Sequence, residues 1–595
     1  QVHCRTATFD LEPGAVRRYV FDLGTDDPLA AHGMRGAPPV AGREGLTPLS
    51  GWGTIDPNHI TAVQFFLHNP PGDQTLVLRR WELLPAQDPA AAYRGIVDRW
   101  GQSTRTDWPG KVHSDDWAGR VAAEQADLAA HPALADRDRF GGWASGPVLE
   151  ATGRFRTAEH GGRWWLVTPE GRLFLSFGVD CVRRDGTTLV GPRADLFTEV
   201  PSRTGPLGKY WGTVSSTLYG PHKSGSTFDF YAANLERKYG PGALEAWKEI
   251  ALRRLKSWGF NTVGNWSAPA VASRDQGGRV PYVATLDVWG DYARVASGSD
   301  YWGKMPDPFD PKFAATARAR FQASAPAFRD DPWCVGAFVD NELSWTGGSF
   351  ADGTMGLGIG TLAAGPEQPA KKALVVLLKG RYTDRAALNR AWGTRFSSWD
   401  DVGQPMVLGA PNPAQQADLT AFVEVYARQY FTVVRTALND AAPGVLYLGC
   451  RFSGTPPMFA VRAAAEQCDV VSFNVYQKTL DPAAWGFTSG LGKPCIVGEF
   501  HFGALDRGLF HPGLVPVADQ SARAQAFASY VRSVADLPAF VGAHWFQYVD
   551  EPTAGRTLDG ENYQIGMVSV ADEPYPEMVS SARTVLAEVY ERHAR

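Results

Sequence analysis

Residues 334–345 read CVGAFVDNELSW, and how this stretch is read decides the fold. Cys334 to Val339 form an unbroken apolar run, as expected of a strand buried on both faces. The run then stops on Asp340, Asn341 and Glu342. A strand that dives into a core does not finish on three polar residues, two of them acidic, unless its tip is used. The same pattern returns in PCIVGEF, which ends its apolar run at Glu499. A fold that brings these two tips together would place two carboxylates face to face.

The neighbouring sequence supplies such a fold. Eight strand-like runs follow one another: LFLSFGVD (173–180), FNTVGNW (260–266), YVATLDV (282–288), CVGAFVDNE (334–342), VLYLGCR (445–451), DVVSFNVY (469–476), PCIVGEF (494–500) and FVGAHWFQYVD (540–550). Helical periodicity separates many of them. ALEAWKEIALRRLKSWG (243–259) is amphipathic, and further helices are predicted at 311–329, 416–439, 520–536 and 576–594. In the helix at 416–439, Leu419, Phe422, Val423, Tyr426, Tyr430, Val433 and Val434 share one face. Eight alternating units fit an α/β chain closed as a (β/α)8 TIM barrel, with an open doubly wound sheet as the competitor. The catalytic barrel is predicted to span 146–595, with residues 343–415 a long insertion after the fourth strand.

Upstream, residues 1–85 read as all-β. RRYVFDL (17–23), AVQFFLHN (62–69) and QTLVLRRWELL (74–84) are short β-rich runs, with a turn at Asn69 to Gln74. A jelly-roll-like sandwich is the economical expectation. Residues 86–145 read as a helical linker rich in Ala, Asp and Arg.

Composition narrows the function. The 595 residues carry a net charge of -5 and no basic block, so neither nucleic acid nor an anionic membrane is indicated as a partner. No apolar run reaches 18 residues. Six cysteines form no C-x-x-C pair, and Cys181, Cys334, Cys450 and Cys495 lie in or beside strand-like runs, as buried thiols do. GLGIGTLA (356–363) mimics a dinucleotide fingerprint without the strand that must precede it. No G-x-S-x-G or H-E-x-x-H motif is present. Twenty tryptophans suit a sugar-binding cleft, because pyranose rings present apolar faces to flat aromatic surfaces.

In a barrel the strand C-termini converge on one face. Glu342 and Glu499, at the ends of the fourth and seventh strands, would then face one another over a substrate. Two facing carboxylates are what glycoside hydrolysis needs: one donates a proton to the leaving oxygen, and the other attacks the anomeric carbon or activates water. This chemistry requires no cofactor and no catalytic metal. Asn341 can reach a sugar hydroxyl beside the bond being broken. Asp180 and Asn265 end the first two strands, where polar side chains face the pocket. His501 lies two residues past Glu499, on its side of the strand, and His511 lies in the loop beyond. Asn474 shares the FNVY segment with Tyr476. His544 and Gln547 flank Trp545, and alternation puts only one face of that strand in the pocket.

DNELSW and GEFHFGALDRGLFHPGL (498–514) resemble the acid/base and nucleophile segments of glycoside hydrolase family 50, the β-agarases of the clan A barrels. The resemblance extends to GRWWLVTPEGRLFLSFGVD, RLKSWGFNTVGNWS and HWFQYVDEP, over roughly residues 140–570. FFLHNPPGDQTLVL is similar to the carbohydrate-module-like sandwich before the family's barrel. The resemblance implies that Glu342 is the acid/base, Glu499 the nucleophile, Tyr476 its hydrogen-bond partner and Trp545 the floor under the cleaved sugar. It also implies retention of configuration and exo-acting cleavage of agarose to neoagarobiose. Two readings stand beside it: hydrolysis of another β-galactoside-containing glycan, and carbohydrate binding without turnover. The chain starts at Gln1 rather than Met, so a signal segment removed upstream, and a secreted or periplasmic location, are expected.

Overall fold

A computed structural model describes residues 89–184, 186–272, 278–347, 353–454 and 456–595, with, before them, 4–7, 14, 16–21, 28–38, 46–47, 50–52, 56, 59–67 and 72–83. Its centre is one eight-stranded parallel sheet. The strands, labelled here as barrel strands only, are β1 Ser176–Val179, β2 Thr262–Val263, β3 Tyr282–Leu286, β4 Cys334–Val339, β5 Phe452–Ser453, β6 Val471–Asn474, β7 Cys495–Phe500 and β8 Phe540–Trp545. Each pairs with its sequence neighbour from β1 to β4 and from β5 to β8, and β8 returns to pair with β1. The last seam, between β4 and the segment leading into β5, is closed by the Ala337 N–H to the Leu446 carbonyl at 2.8 Å and the Val339 N–H to the Gly449 carbonyl at 3.0 Å. Seven of the eight strands therefore lie within their expected bounds; the fifth, expected at 445–451, supplies the seam with β4 there but forms a ladder with β6 only at Phe452–Ser453, and the order is that of a TIM barrel.

The helices lie outside this ring: α1 Ala243–Trp258, α2 Pro311–Ser324, α3 Pro413–Ala441, α4 Met458–Gln467, α5 Gln520–Asp536 and α6 Pro576–His593. Their start signals are visible in the chain. Asp310 and Asp519 cap α2 and α5 by accepting backbone N–H bonds, and Asn412 with Gln415 forms a capping box at α3. The unit after β2 departs from the ideal, with only a 3-10 turn at Pro269–Ala272 before β3. In α3, Leu419, Phe422, Val423, Tyr426, Tyr430 and Val434 are all fully buried, while Val433 is only partly so. The predicted insertion carries short helices at Gly356–Ala363, Pro369–Arg381, Arg385–Trp392 and Trp399–Val402.

Before the barrel the picture is coarser than the sandwich expected. The described residues hold two small strand pairs, Cys4–Thr6 with Ser50–Trp52 and Val20–Phe21 with Leu46–Thr47. Segments 59–67 and 72–83 carry no strand pairing, and Asn69 to Pro71 of the expected turn lie outside the described residues. Residues 28–38 instead dock on the barrel. Met34 is fully buried, the Arg35 N–H donates to the Gly560 carbonyl, and Arg193 Nη1 donates to the His32 carbonyl at 2.8 Å.

Candidate active site

Five non-glycine residues at the strand tips have left-handed backbone: Cys181 after β1, Trp266 after β2, Asp340 and Glu342 after β4, and Arg451 on the way into β5, with φ between 41° and 60° in a set that also includes Asp136, Asp300 and Asp572. Such residues are uncommon and gather where side chains must be aimed rather than where the backbone is relaxed. Here they turn the chain at the C-terminal rim of the barrel, the face on which barrel enzymes build their sites.

The turn at Glu342 brings its carboxylate to that of Glu499. The Asn474 amide, at the tip of β6, donates to Glu342 Oε1 at 2.9 Å and to Glu499 Oε1 at 2.8 Å. Glu499 is 5% exposed. Its Oε1 also accepts from Arg451 Nη2 at 2.8 Å, and its Oε2 accepts from the Tyr476 hydroxyl. Glu342 Oε2 accepts from the Trp302 indole at 2.9 Å. Burial, and then the nearby charge of Glu499, push the Glu342 carboxyl up to about 7, against the opposing bonds from Asn474 and Trp302. The pair is thus one carboxyl that holds a proton near neutrality beside one held by three donors.

Around the pair, Arg451 is the hub. Its Nη2 also donates to Asp180 Oδ2 at 2.8 Å, and its Nε donates to Asn341 Oδ1 at 2.9 Å. The same Asn341 Oδ1 also accepts from the Asn474 amide at 3.2 Å, which fixes the orientation of the Asn341 side chain. Asp180 is fully buried, and its Oδ1 accepts the Asn265 backbone N–H at 2.7 Å. Burial pushes the Asp180 carboxyl up to about 7; Arg451 opposes this and Glu499 adds to it. The Arg451 guanidinium lies 4.6 Å from the Trp266 ring, which meets Phe546 edge-on at 6.1 Å.

Several sequence-predicted residues are placed differently. Trp545 does not floor the site. His544 faces the barrel interior, bonded to Ser176 at 2.9 Å, so alternation along β8 turns Trp545 outward. There it is 0% exposed, packed against Phe500 and Phe527, with its indole donating to the Ile565 carbonyl at 2.9 Å. His501 spends both ring nitrogens inside the protein, Nδ1 on the Phe546 carbonyl at 3.2 Å and Nε2 accepting from the Leu514 N–H at 2.8 Å. Burial pushes it down to about 3, so it ties the 511–514 loop to β7 as a neutral ring and has no donor left for a sugar. His511 stacks on Tyr563 at 4.5 Å, and its Nδ1 accepts from the Gly513 N–H. Gln547 Nε2 donates to the Val549 carbonyl at 2.9 Å, while its Oε1 is buried without a partner among the described residues. Asn265 and Asp180 are at the strand tips as expected, but Asp180 points to Arg451 and Asn265 accepts from Thr285.

Arg451 and Trp302 were not singled out from sequence. Arg451 had a signal, since a lone cation ends VLYLGCR at the same height as the two glutamates. Trp302 had none, because it lies in an irregular loop. Among the described residues, no group of three or more His, Cys, Asp or Glu is arranged to hold a metal ion, and no helix is long and apolar enough to cross a membrane.

Known proteins resemble this chain closely. Beta-agarase B of Vibrio sp. (strain JT0107) is 37% identical over 613 residues, which cover 98% of this chain and 64% of that protein. The chain thus spans just under two thirds of that relative's length. A solved exo-beta-agarase is 38% identical with a TM-score of 0.82, over 86% of this chain and 74% of its own. The structure of PfGH50B is 40% identical with a TM-score of 0.81, over 85% of this chain and 76% of its own. A family model described as Beta-galactosidase, of glycoside hydrolase family 42, matches residues 364–490.

Proposed function

The chain belongs to glycoside hydrolase family 50, and we propose that it is a retaining β-agarase that releases neoagarobiose from the non-reducing end of agarose or its oligosaccharides. The observation that carries this reading is the single Asn474 amide bonded to both carboxylates. With the two bonds laid end to end, the nearest carboxylate oxygens are at most about 5.7 Å apart, in keeping with the roughly 5–5.5 Å of retaining enzymes and short of the roughly 6.5–9.5 Å that leaves room for water in inverting ones.

The mechanism follows from which oxygens are free. Glu499 Oε1 is held by Arg451 and Asn474, and Oε2 only by Tyr476, so Oε2 is the attacking atom. It bonds to the anomeric carbon as the glycosidic bond breaks, and the electron pair of that bond passes to the leaving oxygen. That oxygen takes the proton of Glu342. The freed Glu342 carboxylate then accepts a proton from water, whose oxygen bonds to the anomeric carbon and returns Glu499 to a carboxylate. Asn341, its Oδ1 held by Arg451 and Asn474, donates its amide to the hydroxyl beside the reacting carbon. Trp266, rather than Trp545, supplies the apolar surface for the ring.

The agarose assignment and exo action come from the named relatives. A second reading, another β-galactoside-containing glycan, is favoured by the β-galactosidase model over residues 364–490. We read residues 1–85 as a carbohydrate-module-like sandwich, 86–145 as a linker and 146–595 as the catalytic unit, supported by sequence pattern. A polymer too large to enter a cell supports action outside the cytoplasm. Product analysis tests the proposal. A single disaccharide from agarose at the earliest times supports it. Release only from another β-galactan keeps the pair and replaces the substrate. Binding without release discards turnover.

A further inference from the structure

Asp180 is a buried acid with no substrate to touch and no step of its own in the two-carboxylate cycle. Its surroundings are nevertheless built closely around it. Oδ1 is pinned by the Asn265 N–H, and the backbone of Asp180 is tied to β8 by the Trp545 carbonyl and the Tyr548 N–H. A Cβ at Gly264 would lie 2.1 Å from Oδ1, so only glycine fits beside it. A Cβ at Gly498 would lie 3.2 Å from the Arg451 side chain and 2.8 Å from Asn474 Oδ1, so the far side of the network is fitted just as tightly.

The decisive contact is at one atom. Arg451 Nη2 donates to Asp180 Oδ2 and to Glu499 Oε1, each at 2.8 Å. The nucleophile therefore does not have its counter-charge to itself. Arg451 Nη1 is buried without a partner among the described residues, so the guanidinium turns its shared nitrogen, not its spare one, to the two acids.

We propose that Asp180 is a positioning residue that acts through Arg451: by sharing Nη2 with Glu499 it fixes the carboxylate's orientation and keeps the nucleophile from being over-stabilised by the guanidinium. A carboxylate that owned Arg451 outright would sit lower in energy in the ground state and attack more slowly. The proposal rests on the retaining glycosidase reading and deepens it. The charged and titratable groups that face Asp180 are Arg451, Glu499, the His544 ring with Nδ1 3.7 Å from Oδ1, and the adjoining Cys181. His544 is pushed down to about 3 by burial and then Arg451, so it faces Asp180 as a neutral ring.

One substitution separates the partners of the shared nitrogen. Asp180→Asn keeps an acceptor for the Asn265 N–H and gives Arg451 wholly to Glu499 at every pH. On neoagaro-oligosaccharides kcat is expected to fall by about tenfold with KM changed by less than about twofold, and the ratio of variant to wild-type kcat to fall further as pH rises through about 7, where wild-type Asp180 becomes ionised. A merely structural role lowers activity by the same factor at every pH. A ratio that falls through that pH supports the proposal, and a constant ratio in a folded variant overturns it. Should Asp180→Asn not fold, Asp180→Ser is read by the same criterion. Wild-type protein is assayed alongside. Its silence on every β-galactan overturns the glycosidase reading and this role with it, while wild-type turnover with a constant ratio overturns only the role of Asp180.

Discussion

Glu342 has its proton because it is buried beside another carboxylate, and it can give that proton up because Trp302 and Asn474 stand ready to bond the ion that remains. The pH dependence follows. An acid held at about 7 is deprotonated as pH rises through that value, so kcat/KM should fall on the alkaline side by about tenfold per pH unit. Trp302→Phe removes a donor that favours the ionised form, and the alkaline limb should move to higher pH in the same assay. Glu499→Ala and Glu342→Ala should each lower kcat by several orders of magnitude on oligosaccharides, and near-normal turnover by either would refute the pair. Trp545 gives the contrasting case. As a buried core ring it predicts that Trp545→Ala costs about 3–5 kcal/mol in urea unfolding, while Trp545→Phe leaves KM within about twofold; a floor under the sugar would have raised KM steeply.

At the scale of elements, the strand tips carry the site. The apolar runs were legible because a strand buried on both faces has a short, unbroken hydrophobic signature, and Glu342 and Glu499 were legible because each breaks such a run with a charge. The facing of side chains beyond the last ladder residue was not legible. There the backbone turns left-handed at Trp266, Glu342 and Arg451, and period-two alternation no longer predicts direction. Within β8 alternation still holds, and His544 is the residue that fixes the phase: once it is inside, Trp545 is outside. His501 failed for a different reason, since its partners Phe546 and Leu514 come from distant loops. The tips also leave no slack. Gly264→Ala would place a methyl group 2.1 Å from Asp180 Oδ1 and must displace that carboxylate. The expected outcome is a loss of about 1–3 kcal/mol in denaturant stability together with a fall in kcat, and an unchanged kcat would show that the network tolerates the shift.

Over the whole molecule, one buried ion network joins the segment before the barrel to its last loop. Asp572 accepts from Arg254 Nη1 at 2.6 Å, from Lys238 Nζ at 3.2 Å and from the hydroxyls of Tyr231 and Tyr239, and Arg254 also binds Glu124 of the helix Trp117–Ala130. Burial alone would raise the Asp572 carboxyl, but Arg254 and then Lys238 hold it well below the usual carboxylate range. A depressed carboxylate contributes stability that is present above its unfolded value and lost as pH falls through the folded one, so this network should stay intact at mildly acidic pH. Asp572→Asn leaves Arg254 and Lys238 short of a counter-charge, and should cost about 3–5 kcal/mol at pH 7 by urea unfolding. Much of that deficit should vanish at the lowest pH at which the wild type remains folded. A cost that does not depend on pH would place the effect in packing instead. Nothing in the sequence announced this network, because Asp572 lies 318 to 341 residues from the side chains that bond it.

The pairing of β8 with β1 has a consequence in time. β1 is complete by residue 179, but the strand that covers its open side begins at Phe540. At ribosomal speeds of about 5–20 residues per second, that edge waits roughly 20–70 s for its partner. For that interval the nascent chain presents Phe177 and Val179 beside unpaired backbone, the kind of surface that captures other chains or recruits a chaperone. The ring that later holds Glu342 and Glu499 in register cannot exist on a partly made protein, so yield should depend on how the cell shelters this one strand during synthesis.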